Sequence, residues 1–231
     1  MADYKLHRIG LGNVSCYLLY RPGECILVDC GNPGSEVKIL DTLGHLGLEP
    51  ESLKLLVLTH SHFDHAGSAR KMKEVTGCRL MVHQSEADRL RRGYSPIPPG
   101  TRWKAKLIVA LGRVFARKLM NFPGAEPDLT VEDQFDLEQF GFPGTVIHTP
   151  GHTHGSMVVL MEGGQLITGD TTFGLKSKQH FPPFAEDQAA LVKSWEKIRG
   201  LKAETFYPAH GFHFPFSSFL AEYDAAVKRY S

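Results

Sequence analysis

Short apolar runs without a polar interruption recur along this chain, and segments with helical spacing separate them. Leu55-Leu56-Val57-Leu58 has no polar position, the pattern of a strand buried on both faces. Lys5–Leu11, Ser15–Tyr20 and Cys25–Asp29 read as earlier strands, with Arg21-Pro22-Gly23-Glu24 as the turn between the last two. Arg79–His83, Val131–Leu137 and Thr145–His148 read as later ones, and Met157–Met161 pairs with Gln165–Thr168 across a Glu-Gly-Gly turn. Helical period appears in Ser35–Leu46 through Val37, Leu40 and Leu43, and in a Lys/Arg/Glu-bearing stretch that ends at Thr76 before Gly77. It returns in Glu186–Gly200, with Leu191, Val192, Trp195 and Ile198 inward, and in a closing helix marked by Phe216, Phe219, Leu220, Tyr223 and Val227.

Composition narrows the class. With 231 residues and 42% hydrophobic content, the chain is expected to form one domain, 1–231, with a substantial core. A net charge of +1 gives no overall pull toward nucleic acid or membrane. Met1–Lys5 lacks a signal-peptide core and no apolar run reaches spanning length, so the expected compartment is the cytoplasm. Cys16, Cys25, Cys30 and Cys78 stand singly, as expected of reduced, buried thiols.

One stretch differs from the rest. Between Arg89 and Lys118 there are nine basic residues and no acidic one, and Ser95–Gly100 breaks any helix there. Beyond it Trp103, Leu107, Ile108, Leu111, Val114, Phe115 and Leu119 share one helical face, opposite Lys106, Ala110, Arg113 and Arg117. Residues 87–127 therefore read as a basic helical insertion over a site, with Arg113 and Arg117 as candidate substrate-binding cations. A plain solvated face, or a membrane or nucleic-acid patch, are the other readings.

The chemistry concentrates in His60-Ser61-His62-Phe63-Asp64-His65, just past the buried run. Imidazoles and carboxylates are ligands that zinc, iron and manganese accept. Residues two apart on extended chain share a side, so His60 and His62 can converge on one ion, leaving Asp64 and His65 for a second. Other apolar strands also end in Asp or His: Val28-Asp29, Thr168-Gly169-Asp170 and Pro208-Ala209-His210, while His152 follows a Pro-Gly turn. Such ends imply side chains gathered along one edge of a sheet. His83 reads as a structural residue at a strand end, His148 and His154 as neighbours of the predicted ligand His152, and His180 as a residue of a candidate substrate-facing loop.

Four motifs in this order resemble those of the metallo-β-lactamase fold superfamily, in its hydroxyacylglutathione hydrolase-like branch: HxHxDH at His60–His65, TPGHTxGS at Thr149–Ser156, TGDT at Thr168–Thr171 and PAHG at Pro208–Gly211. The resemblance runs from about Tyr17 to Gly211. It implies an α/β (α+β) fold, a four-layer αββα sandwich. It implies two divalent ions, zinc first and iron or manganese as alternatives. The first would take His60, His62 and His152, the second Asp64, His65 and His210, with Asp170 bridging. Asp29 would be the buried supporting aspartate.

Two such ions can share a hydroxide at neutral pH, and Asp64 can orient it as the catalytic residue. No general acid is obvious beside the site, since Thr171-Thr172-Phe173 follows Asp170. A thiolate leaves without protonation, whereas an alkoxide needs a proton. The expectation is hydrolysis of a small-molecule thioester or related ester. A lactonase using Tyr207 as acid, a mononuclear iron persulfide dioxygenase-like oxidoreductase and an RNA-processing nuclease are the alternatives. The resemblance departs at the end: the branch carries a further C-terminal helical region, whereas this sequence continues only 21 residues past His210, which argues against glutathione.

Overall fold

The computed structural model describes residues 4–101, 120–175 and 179–230. Its first sheet orders β1 (Lys5–Gly10), β2 (Ser15–Arg21), β3 (Glu24–Val28), β4 (Leu53–Val57), β5 (Arg79–His83) and β6 (Leu129–Val131) as neighbours in sequence order. The pairing is antiparallel from β1 to β3 and parallel from β3 to β6. The second sheet holds β7 (Gln134–Asp136), β8 (Gly144–His148), β9 (Met157–Met161), β10 (Gln165–Gly169), β11 (Thr205–Pro208) and β12 (Phe214–Pro215), in the same sequential order. Only β10 and β11 run parallel there. Among the described residues the α-helices are α1 (Glu36–His45), α2 (Phe63–Ala66), α3 (Ala69–Thr76), α4 (Ala87–Arg92), α5 (Gln188–Arg199) and α6 (Phe216–Tyr230).

Alternation along the strands sorts the apolar side chains into three layers. Tyr17, Leu19, Leu55 and Val57 face Val146, Val159 and Ile167 between the sheets. Their sequence neighbours Cys16, Leu18, Leu56 and Leu58 point the other way, onto Ile39, Met72 and Leu90 of α1, α3 and α4. On the far side Val158, Leu166 and Phe206 pack against Trp195, Ile198 and Phe219 of α5 and α6. The result is the expected αββα sandwich, and the unbroken run at β4 is unbroken because both its faces are covered.

Several local expectations change. Val37 is 62% exposed, and α1 buries Ile39 and Leu43 instead. Leu220 is also exposed, and α6 buries Phe219, Tyr223 and Ala226. The run Val131–Leu137 divides between β6 and β7 in different sheets, then enters a 3-10 turn at Leu137–Phe140. His180 does not face solvent: it is buried, stacked on Phe214 at 3.7 Å, with Nδ1 against the Phe173 carbonyl. All four cysteines are free and buried, and burial pushes the Cys16 and Cys30 thiols up. Among the described residues no helix is long and apolar enough to cross a membrane. Arg113, Arg117 and the helical face they were assigned to lie outside the described residues.

The second outer layer also carries the loop after β10. Trp195 is fully buried against Phe181 and Phe219, and its indole N–H donates to the Thr171 carbonyl at 2.8 Å. Trp195→Ala removes that donor and opens a cavity, so we expect a loss of about 3–5 kcal/mol, measured by urea unfolding.

Candidate metal centre

Five chain segments meet at one end of the sandwich. Parallel pairing aligns the C-terminal ends of β3, β4 and β5, and the same holds for β10 and β11. The sheets touch there. Met157 donates its N–H to the Thr59 carbonyl, and Ser15 donates to the Ala209 carbonyl, both at 2.8 Å. Gly169 has φ +49°, and a Cβ on it would lie 2.4 Å from Thr59 Oγ1. Only glycine lets the two strand ends come this close, and Asp170 follows directly.

Among the described residues three groups of ligand-type residues result: His60, His62 and His152; His60, His65 and Asp170; and Asp64, His65 and His210. Within each group the ligand atoms lie within 4.8 Å of one another. His62 Nδ1 stands 2.8 Å from His60 Nε2 and 3.1 Å from His152 Nε2. Asp170 reaches both sides. Its Oδ2 is 3.4 Å from His152 Nε2, while its Oδ1 is 3.3 Å from His65 Nε2 and 3.4 Å from His210 Nε2. Asp64 Oδ2 is 3.4 Å from His210 Nε2. All seven residues named from the sequence as ligands are brought together.

The far ring nitrogens have partners that fix them. His65 Nδ1 bonds Asp29 Oδ2 at 2.8 Å, and the same aspartate accepts from the Thr59 N–H and hydroxyl. Asp29 adopts φ 62°, an unusual conformation for a non-glycine residue, and holds these bonds in return. His60 Nδ1 lies 3.1 Å from Thr59 Oγ1, His152 Nδ1 2.9 Å from the Phe184 carbonyl, and His210 Nδ1 2.8 Å from the Asn13 carbonyl. A ring N–H pointed outward leaves a lone pair pointed inward. Thr59, Asn13 and Phe184 were not foreseen; two of them act through backbone carbonyls, which carry no sequence signal.

The donor set fits divalent metal. His65 Nε2 and Asp170 Oδ1 are buried without a hydrogen-bond partner, although they lie 3.3 Å apart. With His65 Nδ1–H given to Asp29, Nε2 presents a lone pair to a carboxylate, an arrangement that calls for a cation between them.

Without metal, protons take that place. Burial disfavours charge on His65, but Asp170, Asp29 and Asp64 outweigh it and raise its pKa well above the usual value. Burial opposes charge on His210 too, yet Asp170 and Asp64 raise it to about 9. Burial would raise Asp64, but His65 and His210 hold it down at about 2, and the same balance of burial against His210 and His65 lowers Asp170. On the other side, burial and the neighbouring rings lower His60, and burial and His152 lower His62 to about 3. The His60, His62, His152 group is therefore ready with neutral ligands.

Neighbouring histidines stay outside these groups. His83 is buried between Ser85 and the Glu132 carbonyl and stacks on His148 at 3.9 Å. His148 Nε2 lies 2.9 Å from the His154 carbonyl, and His154 is an exposed partner of Glu186. Phe173 stacks on His210 at 5.0 Å. Tyr207 packs edge-on against Tyr17 beside the inter-sheet core.

Comparison with known proteins agrees with this geometry. "Probable metallo-hydrolase YflN" of Bacillus subtilis is 25% identical, over 98% of this chain and 91% of its own length. An N-acyl homoserine lactonase of a Bacillus species is 27% identical, over 82% of this chain and 75% of that one. A hydroxyacylglutathione hydrolase of Rhodospirillum rubrum is 25% identical, over 88% of this chain and 63% of the enzyme. In fold, BJP-1, a subclass B3 metallo-beta-lactamase of Bradyrhizobium japonicum, superposes with a TM-score of 0.72 at 20% identity, covering 99% of this chain and 90% of that one. The model of the metallo-beta-lactamase superfamily matches residues 9–210, and with the αββα sandwich and its His/Asp cluster this shows that the chain belongs to that superfamily.

Proposed function

We propose that this chain is a metal-dependent hydrolase, acting as one domain, that holds two zinc ions and cleaves a thioester of a small molecule. The observation that carries the reading is Asp170, whose two oxygens face two separate histidine groups. In this assignment His60, His62 and His152 would hold one ion and Asp64, His65 and His210 the other, with Asp170 available to each set. Bound divalent ions lower the pKa of water from 15.7 to about 7 and polarise a carbonyl oxygen, which supplies hydrolysis at neutral pH.

The protein's own groups define the rest. Asp29, Thr59, Asn13 and Phe184 keep four imidazoles oriented, so little reorganisation remains for the reaction. Asp64 is the partly exposed carboxylate of the set, placed to hold and aim an attacking water by accepting a hydrogen bond from it. The ring beside His210 is that of Phe173, an apolar side chain where a proton donor would assist an alkoxide. Tyr207 is a poor donor because burial raises its pKa further. A thiolate, with a parent pKa of about 8.5, departs without such help. The buried free cysteines suit a reducing compartment such as the cytoplasm.

The test compares substrates that share an acyl group. General acid assistance contributes about 10²–10⁴-fold, so the thioester should exceed the matched oxygen ester in kcat/KM by at least about a hundredfold. Equal rates would overturn the thioester assignment, and faster turnover of a lactone would overturn it in favour of the activity named for the N-acyl homoserine lactonase.

Metal uptake should also depend on pH. His210 carries a proton below about 9 in the metal-free protein, and that proton must leave before the ring can bind an ion. Affinity is therefore expected to rise from pH 6 to about 9, with protons released at pH 7, and the raised His65 pKa acts in the same direction. Calorimetric titration with zinc in buffers of different ionisation heat reads this directly. No proton release at pH 7 would contradict it.

A further inference from the structure

Glu86 is fully buried one residue before α4, outside all three ligand-type groups. Its Oε2 accepts from the Ser61 N–H at 3.2 Å and from the Ser61 hydroxyl. Its Oε1 accepts from the Gly155 N–H at 3.2 Å. Ser61 lies between His60 and His62, and Gly155 is three residues after His152. One carboxyl group thus ties together the two loops that supply His60, His62 and His152.

The contact has shaped the loop. A Cβ on Gly155 would lie 2.4 Å from Glu86 Cγ and 2.6 Å from Ser85 Oγ, so the loop must carry glycine there to reach the carboxyl group. Arg89 extends the network, standing 3.6 Å from Glu86 Oε1 and donating to Glu186 Oε1 at 2.6 Å. Glu186 Oε2 accepts from the His154 N–H at 2.9 Å, and the Glu186 N–H donates to the His152 carbonyl at 3.0 Å. The loop bearing His152 is gripped from both sides.

We propose that Glu86 is the positioning residue of the His60, His62 and His152 group: by joining Ser61 to Gly155 it sets the spacing at which the three ring nitrogens meet one ion. This rests on the metal-binding reading above. The Asp64, His65 and His210 group is held through Asp29 and Asn13 and does not use this clamp. Glu86 should therefore act on one ion and spare the other.

A Gln at position 86 keeps the size but has one acceptor oxygen in place of two, so either Ser61 or Gly155 loses its partner. The full-length metal-free protein is titrated with cobalt(II), followed by absorption, for the original chain, Glu86→Gln and Ile198→Ala. The last is a core control that lowers stability without touching Glu86, Ser61 or Gly155 through any hydrogen bond. In Glu86→Gln one of two cobalt affinities should fall about 10–100-fold, with the other unchanged, and Ile198→Ala should keep both. Amide hydrogen exchange at one of the two amides, Ser61 or Gly155, should quicken in the metal-free chain in Glu86→Gln alone. Unchanged affinities, an equal fall in both, or unchanged exchange at both amides would overturn the role of Glu86. If the original chain binds no cobalt, the metal reading fails, and the exchange rates still decide whether Glu86 clamps the two loops.

Discussion

The carboxylate of Asp170 lies between two sets of imidazoles, with one oxygen toward His152 and the other toward His65 and His210. Everything around it follows from the need to put so many polar groups in a buried place. In water these side chains would be solvated; here Asp170 and His65 retain buried atoms that no protein group satisfies. Leaving such atoms unpaired costs about 1–3 kcal/mol each or more when charged. A site of this kind persists when a cation, or in its absence protons, compensates it, and the raised pKa values of His65 and His210 fit the second case.

The sandwich meets that need by separating support from chemistry. Three apolar layers fix the strands, and the ligand-type residues begin where the strands end. The close approach of Gly169 to Thr59 brings the two sheets together at that end, and Thr59 in turn bonds Asp29, which bonds His65. A single chain of contacts therefore runs from the meeting of the sheets to a ligand-type ring nitrogen. Trp195 does similar work from outside by holding the Thr171 carbonyl just after Asp170.

Much of this was legible in the sequence. The unbroken run Leu55–Leu58 predicts a strand covered on both sides, and this is found; the strand ends at Asp29, His60, Asp170 and His210 predict one edge of a sheet, and the residues do gather, but from the ends of two sheets that meet. Period alone misjudged Val37 and Leu220, because helical spacing fixes which residues share a face but not how far the core extends along it. The run Val131–Leu137 looked continuous because apolarity does not mark the point where a chain crosses from one sheet to the other. The support of the site was the least legible part. Asn13 and Phe184 act through carbonyl oxygens, and Glu86 is an ordinary glutamate until the fold brings Ser61 and Gly155 to it.

Whether the His/Asp cluster is a shared site for two ions is decided by elemental analysis of the purified protein. Close to two divalent ions per chain, zinc foremost, are expected, and both should fall together in Asp170→Asn because that carboxylate faces both sets. One iron per chain, with oxygen consumed in place of ester hydrolysis, would contradict the two-ion site.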